Sequence, residues 1–373
     1  MKYIAFFIAI VFFVSCNTNT NKGSIQECAD VYHIEYAKGF DIKKYENYTE
    51  VTVNDPWDST KILQKYILVD RDNSVPDNLP EGTLIRTPLT SVAAYSTIHC
   101  TVLSELNMLN IVKGVCEPHF VDIDYIQKGV KNGTIEDLGM ASNPNIEKII
   151  LVDPDAIMAT PIHGLPYGSI AKTKIPMIET PDYMESSPLG RAEWIKFYSA
   201  FIGKEQLADS IFKQTVERYN TIKDKMASIN YRPTVFSDHR YGNVWYTAGG
   251  KSYMGNMLKD AGANYIWSDN ENTGSLPLSF EEVLDKAGEA QFWLIKYNQP
   301  NNLSYKQLEE EYKPYSNFAA FKNKNIYGCN TGYATYYEDL PIHPDYVLEE
   351  LAHIFHPEIF PDYRPKYYNK LED

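Results

Sequence analysis

His99, His163 and His239, with the carboxylate of Asp238, are residue types that hold zinc or manganese. Each falls just after a run that reads as a β-strand, which places all four at one end of the sheets those strands would form. Their spacings carry no local ligand signature, and no His-rich loop accompanies them. The same strand ends offer a second chemistry. In the first half they carry Tyr95, Ser96 and Thr97, then Thr160 and Pro161, then Asp182, Tyr183, Met184 and Glu185, with Arg191 close behind. In the second half they carry Arg240, Tyr246, Tyr253, Asn298, Tyr333, Tyr336 and Tyr337. Aromatic rings stack on planar or macrocyclic ligands, and guanidinium groups or backbone amides meet carboxylates and catecholates. Taken singly, each of these side chains also suits loop packing, and Arg191 equally suits capping its own helix. His343, His353 and His356 fall in a terminal helical region, where packing or capping accounts for them.

Catalytic signatures are missing. The glycines of AGGKS lack the spacing of a phosphate-binding loop, and no GxSxG, CxxC or HExxH occurs. Asp153 and Asp155 flank Pro154 where a helix stops, which is turn chemistry. A formal charge of −14 without clustered Lys and Arg argues against nucleic acid. The 373 residues are enough for two domains, and 44% apolar with 23% charged residues is ordinary for a soluble globular chain. The 29 tyrosines are not ordinary, and they suit either a surface that grips a large ligand or core and strand packing.

The elements that position these residues read as follows. Residues 203–228 place Leu207, Ala208, Ile211, Phe212, Thr215, Val216, Tyr219, Ile222 and Met226 three and four apart, the stripe of a long amphipathic helix. Before it, SVAAYST, IVKGVC, an AIMA run and KIPMIET read as strands alternating with helices, and residues 191–202 read as a helix leading into the rod. After it the same grammar restarts with PTVFSDH, a helix and short strand to residue 267, SFEEVLDKAGEAQFWLIKYN, NIYGCN and the helix of PDYVLEELAHIF. Such alternation means parallel sheets wrapped by helices. Residues 32–85 alternate over VYHIEYA, TEVTVND and QKYILVDR and read as an antiparallel meander, with a loop at 70–81.

The chain starts with Met1-Lys2, twelve apolar residues at 3–14, and then Ser15-Cys16 before a polar stretch. The apolar run is too short to span a bilayer and suits a signal peptide. It resembles a bacterial lipoprotein signal, although Phe13 stands where leucine is usual, and that resemblance implies a lipid anchor on Cys16. Among Cys28, Cys100, Cys116 and Cys329 a disulfide is possible, and the sequence does not name the pair.

AYSTIHCTVLSELNMLNIVKGVC, NIEKIILVDPDAIMA, LSFEEVLDKAGEAQFWLI and HPDYVLEELAHIFHPEIF together resemble the class III periplasmic binding proteins of ABC importers, the helical-backbone metal-receptor superfamily that feeds in ferric siderophores, haem and cobalamin. The likeness runs over about residues 86–362. It implies an α/β fold of two doubly wound lobes with mostly parallel sheets, joined by one long helix, plus an N-terminal β-rich extension. The divisions expected are a signal peptide at 1–16, a tether at 17–30, the extension at 31–85, a first lobe at 86–203, the inter-lobe helix at 204–229 and a second lobe at 230–373. It further implies a monomer in the periplasm, lipid-anchored to a membrane, that is not an enzyme and needs no cofactor. Its bound ligand would be a ferric siderophore, haem or cobalamin, and its partners a permease dimer and the attached ATPase. Glu147 and Glu281 occupy matching places in the two halves, where the family's carboxylates pair with arginines of the permease; each also suits the first turn of a helix. Two alternatives stand beside this: direct zinc or manganese binding through the three histidines and Asp238, and a metal-dependent enzyme subunit of similar architecture.

Overall fold

The computed structural model describes residues 30–168 and 170–373; the expected signal peptide, the expected tether up to residue 29, Cys16 and Cys28 lie outside the described residues. The first lobe is built on five parallel strands in the spatial order Met177–Glu179, Ala156–Ala159, Val92–Ala94, Val112–Val115 and Glu136–Asp137. Val92–Ala94 and Ala156–Ala159 are buried throughout, as strands covered by helices on both faces must be. The second lobe orders Asn264–Tyr265, Thr234–Ser237, Phe292–Tyr297 and Ile326–Asn330 in parallel, with Tyr368–Lys370 antiparallel at the edge. In both lobes the strand order reverses beside the first strand, and such a switch point opens a crevice outside the strands' carboxyl ends. A three-stranded antiparallel sheet, Arg240–Tyr241, Val244–Ala248 and Ser275–Leu278, is added to the second lobe.

Between the lobes runs the helix Glu205–Ala227, 23 residues and therefore about 35 Å long. Gly203, at φ 67°, turns the chain out of the preceding helix Pro188–Ile202, which starts before the residue 191 expected from the sequence. The apolar stripe of the rod is divided. Ala208 and Phe212 belong to the first lobe's core, Tyr219, Ile222 and Met226 to the second's, and Val216 packs against both. The lobes also exchange side chains. Leu189, from the first lobe's helix, is buried in the second core, and Ile342 is buried in the first.

The N-terminal region differs from its sequence reading in two ways. Phe40–Lys44, Thr49–Asn54 and Ile62–Asp70 are antiparallel, but Thr83–Thr87 runs parallel to Ile62–Asp70. The loop over 71–82 is long enough to carry the chain back to its starting end, which a parallel pairing requires. VYHIEYA is not a strand beyond Val31, because its amides are claimed elsewhere. The Glu193 carboxylate, fully buried on the helix Pro188–Ile202, accepts from the amides of Glu35 (3.0 Å), Tyr36 (2.7 Å) and Ala37 (2.9 Å) and from the Lys196 ammonium (2.9 Å). Glu185 accepts from the amides of Lys38 and Gly39, each at 2.8 Å, and from the Trp194 indole. The extension's Phe40, Ile42, Val51, Val53, Tyr66 and Leu68 then join one core with Trp194, Phe197 and Phe201. At the other end of the chain Glu350, also fully buried, accepts from the amides of Lys366, Tyr367 and Tyr368 and from the Tyr363 hydroxyl.

A buried carboxylate holding several donors has no neutral substitute of the same shape that only accepts. Glu193→Gln should therefore lower unfolding free energy by about 3–5 kcal/mol in denaturant titration, the order expected for breaking a buried charged network. A loss below 0.5 kcal/mol would show that the strap is not held there.

Candidate functional site

The first lobe's switch point lies between Val92–Ala94 and Ala156–Ala159, and the residues that follow these strands, Tyr95 and Thr160, line one cavity of about 550 Å³. Ser96, Thr97, Cys116 and Glu117 close it on one side, and Phe120, Ile146, Ile162, Leu165 and Tyr167 supply the apolar wall. Tyr95 is only 6% exposed, yet its hydroxyl has no hydrogen-bond partner, and neither has the buried Thr160 Oγ1. An unpaired hydroxyl away from water costs about 1–3 kcal/mol, so a pair of them on one cavity marks a place built for a partner atom. Burial raises the Tyr95 phenol and pushes the Cys116 thiol up to about 12, so both stay protonated and can donate. Glu117 takes the left-handed conformation at φ 49°, and its carboxylate accepts from the Ala141 amide at 3.4 Å. A non-glycine residue held there carries strain of the kind found at ligand sites.

Several expected site residues are placed differently. His99 is fully buried. Its Nδ1 accepts from the Ser96 amide (3.2 Å) and its Nε2 meets the Thr180 hydroxyl (2.9 Å), so it fastens a helix start to a neighbouring strand end and does not face the cavity. His163 is exposed on the rim, its ring 5.3 Å from Trp57. His239 lies in the other lobe, and the Asp238 carboxylate is taken by Lys296 at 2.7 Å. Among the described residues no three His, Cys, Asp or Glu side chains converge in a metal-holding group. Cys100, Cys116 and Cys329 are free and buried. Arg191 is paired with buried Asp182 at 2.9 Å beside the Tyr253 ring, and Glu185 is the structural acceptor already described. Tyr253 donates to the Leu340 carbonyl, and Tyr336 is buried against Tyr367 and Tyr368. Tyrosine abundance is thus largely packing: Tyr66, Tyr198, Tyr219, Tyr265 and Tyr315 are also enclosed.

A second open space lies between the lobes. His119, Phe120, Asp122 and Gln127 from the first lobe oppose Asn298, Thr331, Tyr333 and Glu338 from the second across about 560 Å³. Tyr333 is 68% and Tyr246 49% exposed, and Tyr183 and Tyr337 are also open to solvent. The Asp238 carboxylate raises the Lys296 ammonium above its ordinary value although burial opposes charge there, and burial holds the Glu338 carboxyl above the usual range. Arg240 lies over the Tyr312 ring at 3.9 Å, and its Nε and the His239 Nδ1 are buried without partners. Glu117, Phe120, Ile162, Leu165 and Tyr167 were not among the sequence candidates. Glu117 and Phe120 follow the Val112–Val115 strand directly, so the strand-end rule would have reached them; nothing local marks the others.

Glu147 and Glu281 are each the second residue of a helix, Ile146–Val152 and Phe280–Ala287. Both are exposed, and among the described residues neither carboxylate has a hydrogen-bond or ion-pair partner. By contrast Glu282, next to Glu281, closes the capping box with Ser279. Ile150 and Leu151 are exposed on the Glu147 helix, which leaves an acidic and apolar surface there.

A family model described as periplasmic binding protein matches residues 113–331. An uncharacterized lipoprotein of Methanocaldococcus jannaschii is 28% identical over 357 residues, spanning 88% of this chain and 82% of its own. A second uncharacterized lipoprotein of that organism is 23% identical and spans 95% of this chain and 91% of its own. Among solved structures, a possible iron-binding periplasmic solute-binding protein of Staphylococcus epidermidis superposes with TM-score 0.58 at 16% identity, covering 72% of this chain and 99% of that one. The CeuE protein of Helicobacter pylori, solved as a nickel–histidine complex, gives 0.59 at 16% identity over 84% and 90%. At these identities the structures establish the fold alone.

Burial lowers the His99 imidazole to about 3, so protonation favours the unfolded chain, whose histidines titrate near 6.5. Its contribution is fully present above pH 6.5 and declines as pH falls toward 3. Between pH 7.5 and pH 5 the protein should lose about 2 kcal/mol through this residue, and His99→Gln should flatten that part of the stability profile in denaturant titrations.

Proposed function

The chain belongs to the periplasmic binding protein family, and from that premise we propose that it is the substrate-binding component of an ABC importer, capturing a metal chelate between its lobes and delivering it to a permease. The observation that carries this reading is the cavity at the first lobe's switch point, where the Tyr95 and Thr160 hydroxyls lack partners beside an apolar wall. Direct coordination of a bare ion has no seat among His99, His163 and His239, which do not converge. A chelate brings its own metal ligands and asks the protein for shape, stacking surface and a few polar contacts.

The charges narrow the ligand. Arg191 and Lys296 are paired with Asp182 and Asp238, while Glu117, Asp122 and Glu338 line the open spaces, and among the described residues no Lys or Arg lines either of them. Polyanion recognition needs several unpaired cations. The cleft therefore suits an uncharged or weakly cationic chelate, a ferric trihydroxamate or a cobalamin, over a ferric tricatecholate or haem with its propionates. Exposed Glu147 and Glu281 would dock the two lobes on permease arginines, and lipid on Cys16 would hold the protein at the membrane.

In fluorescence or calorimetric titrations the uncharged ferric trihydroxamate or cobalamin should bind at least about tenfold more tightly than the tricatecholate, a difference of about 1.4 kcal/mol, and Tyr95→Phe should weaken it by a similar factor. Failure of every chelate to bind would overturn the reading. Glu147→Lys combined with Glu281→Lys should leave ligand affinity unchanged and abolish uptake in cells, because the pairs fix docking and not capture.

A further inference from the structure

We propose that the N-terminal extension is part of the ligand-binding apparatus, with Trp57 and Gln64 as positioning residues that hold the cavity-lining segment 161–168 in place. The proposal rests on the reading that this cavity receives the ligand. The segment leaves the strand Ala156–Ala159 and contributes Ile162, Leu165 and Tyr167 to the cavity wall. Ile162 and Leu165 are 57% and 53% exposed, and their internal tie is a single β-bridge to each other. Such a segment is held by its side-chain attachments.

Among the described residues Tyr167 packs against the core cluster of Ala93, Tyr95 and Ile157, and three further side-chain attachments hold the segment. The Tyr183 hydroxyl donates to the Pro161 carbonyl at 2.9 Å, from within the lobe. The other two run to the extension. The His163 ring lies 5.3 Å from the Trp57 ring, and Trp57 is presented by a tight loop in which the Asp55 carboxylate accepts from the Trp57 and Asp58 amides. The Tyr167 hydroxyl donates to Glu179 Oε1 at 2.9 Å; Glu179 Oε2 accepts from the Gln64 amide group at 2.6 Å, and the Glu179 amide donates to the Tyr66 hydroxyl at 2.8 Å. Glu179 is buried, so its carboxylate is fixed by what it accepts. Gln64 thus acts on the cavity wall through Glu179 and Tyr167. Trp57 and Gln64 are only half-buried, so truncating them opens no hole in the core.

Hydrogen exchange on the full ligand-free chain tests the brace without knowledge of the ligand. In Trp57→Ala and in Gln64→Leu, amides at 162–168 should exchange about tenfold faster while those of Glu205–Ala227 keep their rate. Exchange at the unmodified rate in both variants overturns the proposal. Stopped-flow binding of the uncharged ferric trihydroxamate and of cobalamin reads the consequence: dissociation should accelerate about fivefold or more with association within twofold. Faster exchange with unchanged dissociation would make the extension a structural brace only and overturn its part in binding. If neither chelate binds the unmodified protein, the chelate reading fails, and the exchange result still decides whether the extension holds the wall.

Discussion

The Glu193 carboxylate is the fixture from which the molecule is assembled. A buried anion is tolerated only when its lone pairs are taken by donors of good geometry, and three consecutive backbone amides with the Lys196 ammonium do so here. The consequence for residues 35–37 is that they cannot be a strand, since their amides are spent on the helix. The consequence for residues 40–70 is that the extension arrives in register to pack Phe40 on Trp194 and Phe197. Tyr36, carried on the same strap, packs against both lobes' cores and lies edge-on to Phe212 of the rod. One side chain thus ties the extension, the first lobe and the inter-lobe helix at a single place. Glu350 repeats the device for the C-terminal segment, on the helix Pro344–Phe355.

The strand ends of the two lobes follow the opposite rule. Both oxygens of the Glu193 carboxylate accept from donors, while Tyr95, Thr160, His239 and Arg240 each leave a buried polar atom unanswered at the strand ends. Left-handed Glu117 and Asp238 sit at the same ends, one in each lobe. Among the described residues these four unanswered atoms fall just past the strands Val92–Ala94, Ala156–Ala159 and Thr234–Ser237, at the ends where the crevices open.

Much of the fold was legible because hydrophobic period and punctuation are local. The helix over Ile146–Val152, stopped by Asp153-Pro154 before the strand Ala156–Ala159, can be read from a dozen residues, and so can the rod. The direction of Thr83–Thr87 was not legible, because it depends on where a loop returns the chain and not on the strand's own pattern. The candidate site was legible as a set of strand ends and not as a set of side chains. Tyr95 and Tyr336 look alike in sequence; one ends on the cavity and the other among Tyr367 and Tyr368, and only packing separates them. Glu193 and Glu350 were invisible for a related reason. Their partners are backbone amides, which carry no residue identity.

The exchange of Leu189 and Ile342 between cores bears on biosynthesis. During vectorial synthesis or translocation the first lobe's sheet, helices and rod all emerge before Ile342, which belongs to the last tenth of the chain. Until then its core lacks an apolar side chain whose absence costs about 2–4 kcal/mol. The first lobe is therefore held short of its full stability until synthesis is almost complete, so the emerging chain stays easier to unfold than the finished protein.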